Sequence, residues 1–133
     1  MPPRAIIAVR HGESEWNALR REYKSEEDRY SSRLYVPDCG LTPTGITQSL
    51  NAGHALEEYL LNTFTDSEDI QVLYVVSPLR RALQTALYIL QTCVKFSPIS
   101  VPIVHPDCAE VMTDSCDIGS TPEELDKEFH GTS

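Results

Sequence analysis

Ile6-Ile7-Ala8-Val9-Arg10-His11-Gly12-Glu13 is the stretch on which the fold turns. A run of β-branched and small apolar residues stops at an arginine, a histidine and a glycine. A helix-compatible segment, Ser14 to Leu19, follows at once. An unbroken apolar run suits a strand buried on both faces, as in a parallel sheet covered by helices. Ligands of such sheets bind at the carboxyl ends of the strands, where Arg10 and His11 would emerge. Gly12 would let the backbone approach a ligand, and free N–H groups at the start of the next helix would favour an anion. The stretch reads as a phosphate site containing a histidine.

Downstream, the chain alternates strand and helix. Arg20 to Asp38 is a long polar connection that reads equally as a binding loop or cover and as a solvated helical extension. Thr42 and Pro43 supply an N-cap and a first helical residue, and Ile46, Leu50, Gly53, Leu56 and Leu60 follow on one helical face. Gly53 is expected to permit close packing against the sheet. Gln71 to Val76 is a second strand ending at Ser77-Pro78. A helix with Leu79, Ala82, Leu83, Ala86, Leu87 and Leu90 on one face comes next. Val101 to Val104 is a short strand, and Thr121-Pro122 opens a last helix. Such alternation implies an α/β fold, a three-layer α/β/α sandwich around a mainly parallel sheet, with residues 1–133 as a single domain.

Composition narrows the function. The chain has 133 residues and a net charge of -9, so nucleic acid and anionic membranes are poor partners. That charge is compatible with a phosphorylated substrate, because arginines in a cleft set the local potential. The acidic residues cluster at Glu57-Glu58, Asp66 to Asp69 and Glu123 to Glu128, which read as solvated faces. The start of the chain reads as no signal peptide, and no apolar stretch is long enough to span a bilayer. Cys39, Cys93, Cys108 and Cys116 lack Cys-x-x-Cys spacing and read as reduced thiols, with the cytoplasm, or the nucleus, as the expected compartment.

Both main strands deliver polar residues to one sheet edge: Arg10 and His11 from the first, Ser77 and then Arg80-Arg81 from the second. A neutral imidazole whose other nitrogen is held by a hydrogen bond is a competent nucleophile. Attack on phosphorus would give a phosphohistidine. The transferring group spreads negative charge over its outer oxygens, which guanidinium forks match. Arg10 stands beside the histidine, and Arg81 or Arg80 reaches it from the second strand end. Ser14 and backbone N–H groups would complete the cradle, with Asn17 and Trp16 as candidate pocket residues. Glu110, outside the acidic runs, is a candidate general acid.

These residues carry a family resemblance. Arg10-His11-Gly12-Glu13-Ser14 with Trp16-Asn17 resembles the signature of the histidine phosphatase superfamily, also called phosphoglycerate mutase-like. Leu41-Thr42-Pro43-Thr44-Gly45 with Gln48 is similar to its Leu-Thr-x-x-Gly-x-x-Gln segment. Ser77 to Ala86 resembles its second arginine motif, in which the arginine directly before the alanine binds the phosphoryl group; here that is Arg81. Ala109-Glu110 resembles the element whose glutamate is a proton donor in many members. The resemblance implies a phosphoglycerate mutase-like fold and phosphoryl transfer through His11 without metal or other cofactor. Arg10, Arg81, Ser14 and Asn17 would bind substrate, and Glu110 would supply a proton. The insert at Arg20 to Asp38 favours a phosphatase over a mutase-type phosphotransferase.

The family's second catalytic histidine, in a setting such as Val-Ser-His-Gly near the C-terminus, has no counterpart. His54 falls in a helix, His105 precedes a proline, and His130 follows an acidic segment. The expectation is therefore a C-terminally shortened phosphatase, diverging near Phe129, with weakened activity. The other reading is an impaired phosphate-binding or interaction module. The expected partner is a small phosphorylated substrate or a phosphoprotein, with homo-oligomerisation as a way to cover an exposed sheet edge.

Overall fold

The computed structural model describes residues 5–22, 35–64, 70–112 and 114–129. In chain order they form α1 (Glu15–Glu22), α2 (Pro43–Thr63), β1 (Val75–Val76), α3 (Arg80–Thr92), β2 (Ile103–Val104) and α4 (Pro122–Phe129). Short 3-10 turns at Pro106–Cys108 and Ser115–Asp117 lie between β2 and α4. The class is α/β, mixed helices with a small parallel sheet. No helix among the described residues is long and apolar enough to cross a membrane. Residues 23–34 of the polar connection, and His130, lie outside the described residues.

The first strand is where expectation and structure part. Residues 5–13 join no ladder among the described residues, and Ile6, Ile7 and Val9 are exposed (98%, 44% and 49%). An apolar run becomes a buried strand only when neighbours bond its backbone and cover both faces. The described sheet has only two strands, β1 and β2, paired in parallel with Val75 opposite Ile103 and Val76 opposite Val104. Hydrogen bonds from Ile99 N to Val72 O and from His105 N to Val76 O, each 2.9 Å, extend the pairing to either side. Both strands have a wet face: Val75, Ile103 and Val104 are all exposed.

The rigid centre is a helix pair instead. The buried residues of α2 are Gly45, Ser49, Gly53 and Leu60, and those of α3 are Arg81, Thr85 and Ile89. Gly45, Ser49 and Gly53, like Arg81, Thr85 and Ile89, run at i, i+4 spacing, and Leu60 follows seven residues on, so two narrow stripes meet face to face. Ser49 Oγ donates to Gly45 O at 2.8 Å and lies 3.5 Å from Thr85 Oγ1. The predicted apolar faces are turned by about a residue: Ile46, Leu50, Leu83, Leu87 and Leu90 are only half-buried, because the smallest residues take the closest contact. Gly53 packs against α3, not the sheet. A Cβ there would lie 1.7 Å from Thr92 Oγ1 and 2.8 Å from Ile89 O. Below this seam Leu60, Ile89, Cys93 and Phe96 form the larger apolar cluster. Full burial of side chains such as Leu60 and Phe96 contributes about 1.5–3 kcal/mol each.

The helix starts follow from their sequences. Thr42 caps α2 by accepting from Gly45 N at 3.1 Å, with Pro43 in the first turn. Thr121 and Glu124 form a reciprocal capping pair at α4, at 3.2 and 2.8 Å. Helix α3 has no cap of its own; Asp38 supplies one from a distance, its Oδ1 accepting from Arg80 N at 2.7 Å. Asp38 Oδ2 also accepts from Ser120 N at 3.0 Å, and Val36 N donates to Ser115 Oγ at 3.0 Å. Segment 35–41 is thereby stapled to segment 114–120.

The histidine loop leans on α2 through its glycines. A Cβ on Gly12 would sit 2.3 Å from Gly45 O, and one on Gly45 would sit 2.0 Å from Glu13 O. Both obstacles are backbone, which cannot rotate away. Gly45→Ala is therefore expected to destabilise the fold by about 2 kcal/mol, the overpacking cost exceeding the roughly 1 kcal/mol gain in helix propensity. A urea-denaturation midpoint against wild type checks this.

Candidate active site

His11 and Arg81, 70 residues apart, meet at the mouth of the helix pair: Arg81 Nε donates to His11 Nε2 at 3.3 Å. Three contacts hold the histidine loop from behind. Gly12 N donates to Thr85 Oγ1 (3.1 Å) on α3 and Glu13 N to Gln48 Oε1 (2.8 Å) on α2, while Glu13 O accepts from Thr42 N (3.0 Å). Thr42 Oγ1 also donates to the Glu13 carboxylate at 2.7 Å, and Arg21 pairs with the same group.

The imidazole has a defined tautomer. Its Nδ1 lies 2.6 Å from Gly12 O, a carbonyl that can only accept, so Nδ1 carries the proton. Nε2 is then the lone-pair nitrogen, and it faces Arg81. Partial burial pushes the His11 pKa below its usual 6.5; Gly12 O counteracts this, and the charges of Arg81 and Arg10 push the same way as burial.

Arg81 is almost wholly buried, at 2% exposure. Besides His11, its guanidinium donates to Cys116 O (2.8 Å), Glu110 Oε2 (2.7 Å) and Asp117 Oδ1 (2.9 Å). Burial works against its charge, but the Glu110 and Asp117 carboxylates outweigh that and raise its pKa. The Asp117 side chain is 4% exposed and that of Glu110 65%, so one partner is internal and the other stands at the rim.

All six residues singled out in the sequence, Arg10, His11, Ser14, Asn17, Arg81 and Glu110, border one cleft of about 380 Å³. Arg10 is solvent-exposed at its edge. Arg80 points elsewhere and pairs with Glu128 of α4 at 2.8 Å. His105 caps the 3-10 turn at Pro106–Cys108, accepting from Asp107 N at 3.2 Å.

The expected cradle of free N–H groups is not there. The backbone N–H of Gly12 goes to Thr85, that of Glu13 to Gln48, that of Ser14 to Asn17 Oδ1 (3.0 Å) and that of Glu15 to Gly40 O (3.0 Å). Ser14 and Asn17 are a capping pair for α1: Asn17 N donates back to Ser14 Oγ at 3.2 Å, and Ser14 Oγ donates to Asn17 Oδ1 at 3.0 Å. Gly12 likewise serves helix contact, not ligand approach. The cations that face the cleft are side chains.

A family model, the histidine phosphatase superfamily (branch 1), matches residues 6–132. The chain belongs to the histidine phosphatase superfamily. Among solved structures it is similar to one titled "Mycobacterial hydrolase 1", with 24% identity and a TM-score of 0.49. That alignment covers 91% of this chain and 45% of the other, so the chain spans just under half the length of that structure. No curated protein matches it significantly.

Within this superfamily member, the Leu41-to-Gln48 motif has a plain physical task. Thr42, Gly45 and Gln48 each touch the backbone of Gly12 or Glu13, and so hold the histidine loop. Sequence reading missed Asp117, Cys116 and Arg20, which also border the cleft. Asp117 carried the signal that picked out Glu110, an acidic residue outside the acidic runs.

A burial-depressed histidine has a measurable consequence. The folded state binds its proton less tightly than the unfolded chain, so stability is full above pH 6.5 and falls as pH drops through the window just below it. An NMR titration of the His11 ring is expected to give a midpoint below 6.5. Urea midpoints should fall with acid in that same window, and less steeply in His11→Asn.

Proposed function

We propose that this chain is a phosphomonoester hydrolase that forms a phosphohistidine on Nε2 of His11. The observation that carries the reading is the meeting of a tautomer-fixed imidazole with a buried guanidinium 3.3 Å from its lone-pair nitrogen. On substrate entry, the phosphoryl oxygens take the Nε–H of Arg81, which frees the Nε2 lone pair for in-line attack. The N–P bond forms as the P–O bond to the leaving alkoxide breaks. Arg81 and Arg10 meet the charge on the outer oxygens, and Glu110, at the solvent-exposed rim, relays a proton from water to the departing alkoxide. Water then attacks phosphorus, releasing orthophosphate and restoring the imidazole. Ser14 and Asn17 support this by starting α1 beside the cleft. A small phosphate ester suits the cleft's volume, and four unbridged cysteines suit a reducing compartment such as the cytoplasm.

One observation favours a second reading, a phosphate-binding module with little turnover. Arg81 is charge-matched by two carboxylates, and the backbone N–H groups of residues 12–15 are engaged. Trapping separates the two. After brief mixing with p-nitrophenyl phosphate and alkaline quenching, the hydrolase should carry a base-stable, acid-labile phosphoryl group that maps to His11 and is absent from His11→Asn. A chain that binds orthophosphate but never becomes labelled is the module.

A further inference from the structure

Two nucleophilic side chains, one in the wall of the cleft and one packed beside it, have no part in this chemistry. Cys39 and Cys116, 3% and 4% exposed, pack together with Trp16 in the smaller apolar cluster. They come from the two segments stapled by the Val36–Ser115 and Asp38–Ser120 hydrogen bonds, so their proximity is built into the fold. Cys116 borders the cleft, and its carbonyl oxygen anchors Arg81.

We propose that Cys39 and Cys116 are a peroxide-sensitive dithiol whose oxidation to a disulfide shifts Arg81 relative to His11.

The chemistry follows from the surroundings. The adjoining Cys116 thiol holds the Cys39 thiol well below the usual range, aided by the Arg81 charge. Cys39, burial and the Asp117 carboxylate, whose Oδ1 accepts from Cys116 Sγ at 3.7 Å, together push the Cys116 thiol up and keep its proton on. Cys39 is therefore the attacking thiolate and Cys116 the resolving thiol. The Cys39 sulfur attacks one oxygen of hydrogen peroxide; the O–O bond breaks, and sulfenic acid and one water result. The Cys116 sulfur then displaces hydroxide from the Cys39 sulfur, which leaves as the second water. Two thiols lose two electrons, and one peroxide becomes two waters. Forming the bond draws Cys116 toward Cys39 from its present contact distance. The carbonyl that holds Arg81 Nη1 moves with that residue, and the guanidinium follows its acceptor.

The other cysteines are the contrast. Cys93 is buried in the larger cluster and Cys108 is exposed, so neither has such a partner within the described residues. The experiment uses a Cys108→Ser chain, which removes the exposed thiol, treated with hydrogen peroxide and mapped by non-reducing mass spectrometry. The expected result is a linked Cys39–Cys116 peptide pair and loss of two free thiols, reversed by dithiothreitol. Oxidation of Cys93 first, or sulfinic acid at Cys39 with no linked peptide, overturns the pairing. The His11 ring titration, read by NMR on the reduced and oxidised forms, tests the coupling without relying on catalysis. Withdrawal of the Arg81 charge should raise its midpoint. A formed disulfide with an unchanged titration overturns the coupling.

Discussion

Replacing Arg81 by methionine is expected to destabilise the fold by about 3–5 kcal/mol, a large part of the roughly 5–15 kcal/mol available to a domain. The cost does not come from Glu110, which is mostly exposed and regains water when its partner is removed. It comes from Asp117, whose side chain is 4% exposed and would lose the 2.9 Å bond to the Arg81 guanidinium. Cys116 O would lose its 2.8 Å donor as well. Urea denaturation should show the midpoint falling without a large change in slope. The double variant Arg81→Met/Asp117→Asn is the informative control, since a neutral amide removes the buried charge that Arg81 faced. It should recover much of the loss. If it recovers nothing, the guanidinium matters to folding through packing alone.

His11→Asn is expected to lower the hydrolysis rate of a phosphate ester by about a thousandfold or more, while the urea midpoint moves by less than about 1 kcal/mol. The asymmetry follows from geometry. Imidazole Nδ1 bonds only to the carbonyl of the next residue, and a side-chain amide can replace that donor locally. The loop's long-range contacts are made by the backbone of Gly12 and Glu13, which the substitution leaves alone. A nucleophilic nitrogen has no such replacement. Equal rates in the two proteins would remove His11 from the chemistry, whatever the state of the cleft.

Particular residues show how much of this was legible beforehand. His11 could be paired by position with Arg80 or Arg81, because each follows an apolar run with polar residues at its end, and the resemblance to the family's second arginine motif singled out Arg81. The start of α2 could be read from Thr42-Pro43, where cap and first-turn residue act locally. The faces of α2 and α3 were misjudged because counting large apolar residues overlooks Gly45, Ser49, Gly53 and Thr85, whose small size allows the closest approach. Ile6 to Val9 looked like a buried strand because a sequence pattern reports what a segment could bury, not whether neighbours cover it. The occupied N–H groups of residues 12–15 were also out of reach. Their acceptors, Thr85, Gln48, Asn17 and Gly40, become neighbours only after folding. Asp117 was hidden for the same reason, since its place beside Arg81 depends on two segments meeting.

The bracing of the histidine loop by Thr85, Gln48 and Gly45 has a mechanical consequence. The imidazole takes its bearing from two helices standing behind it, not from the apolar segment that leads into it. Fraying upstream of Arg10 would therefore leave the nitrogen aimed where it is. A slip of one helix along the other would throw it off target at once.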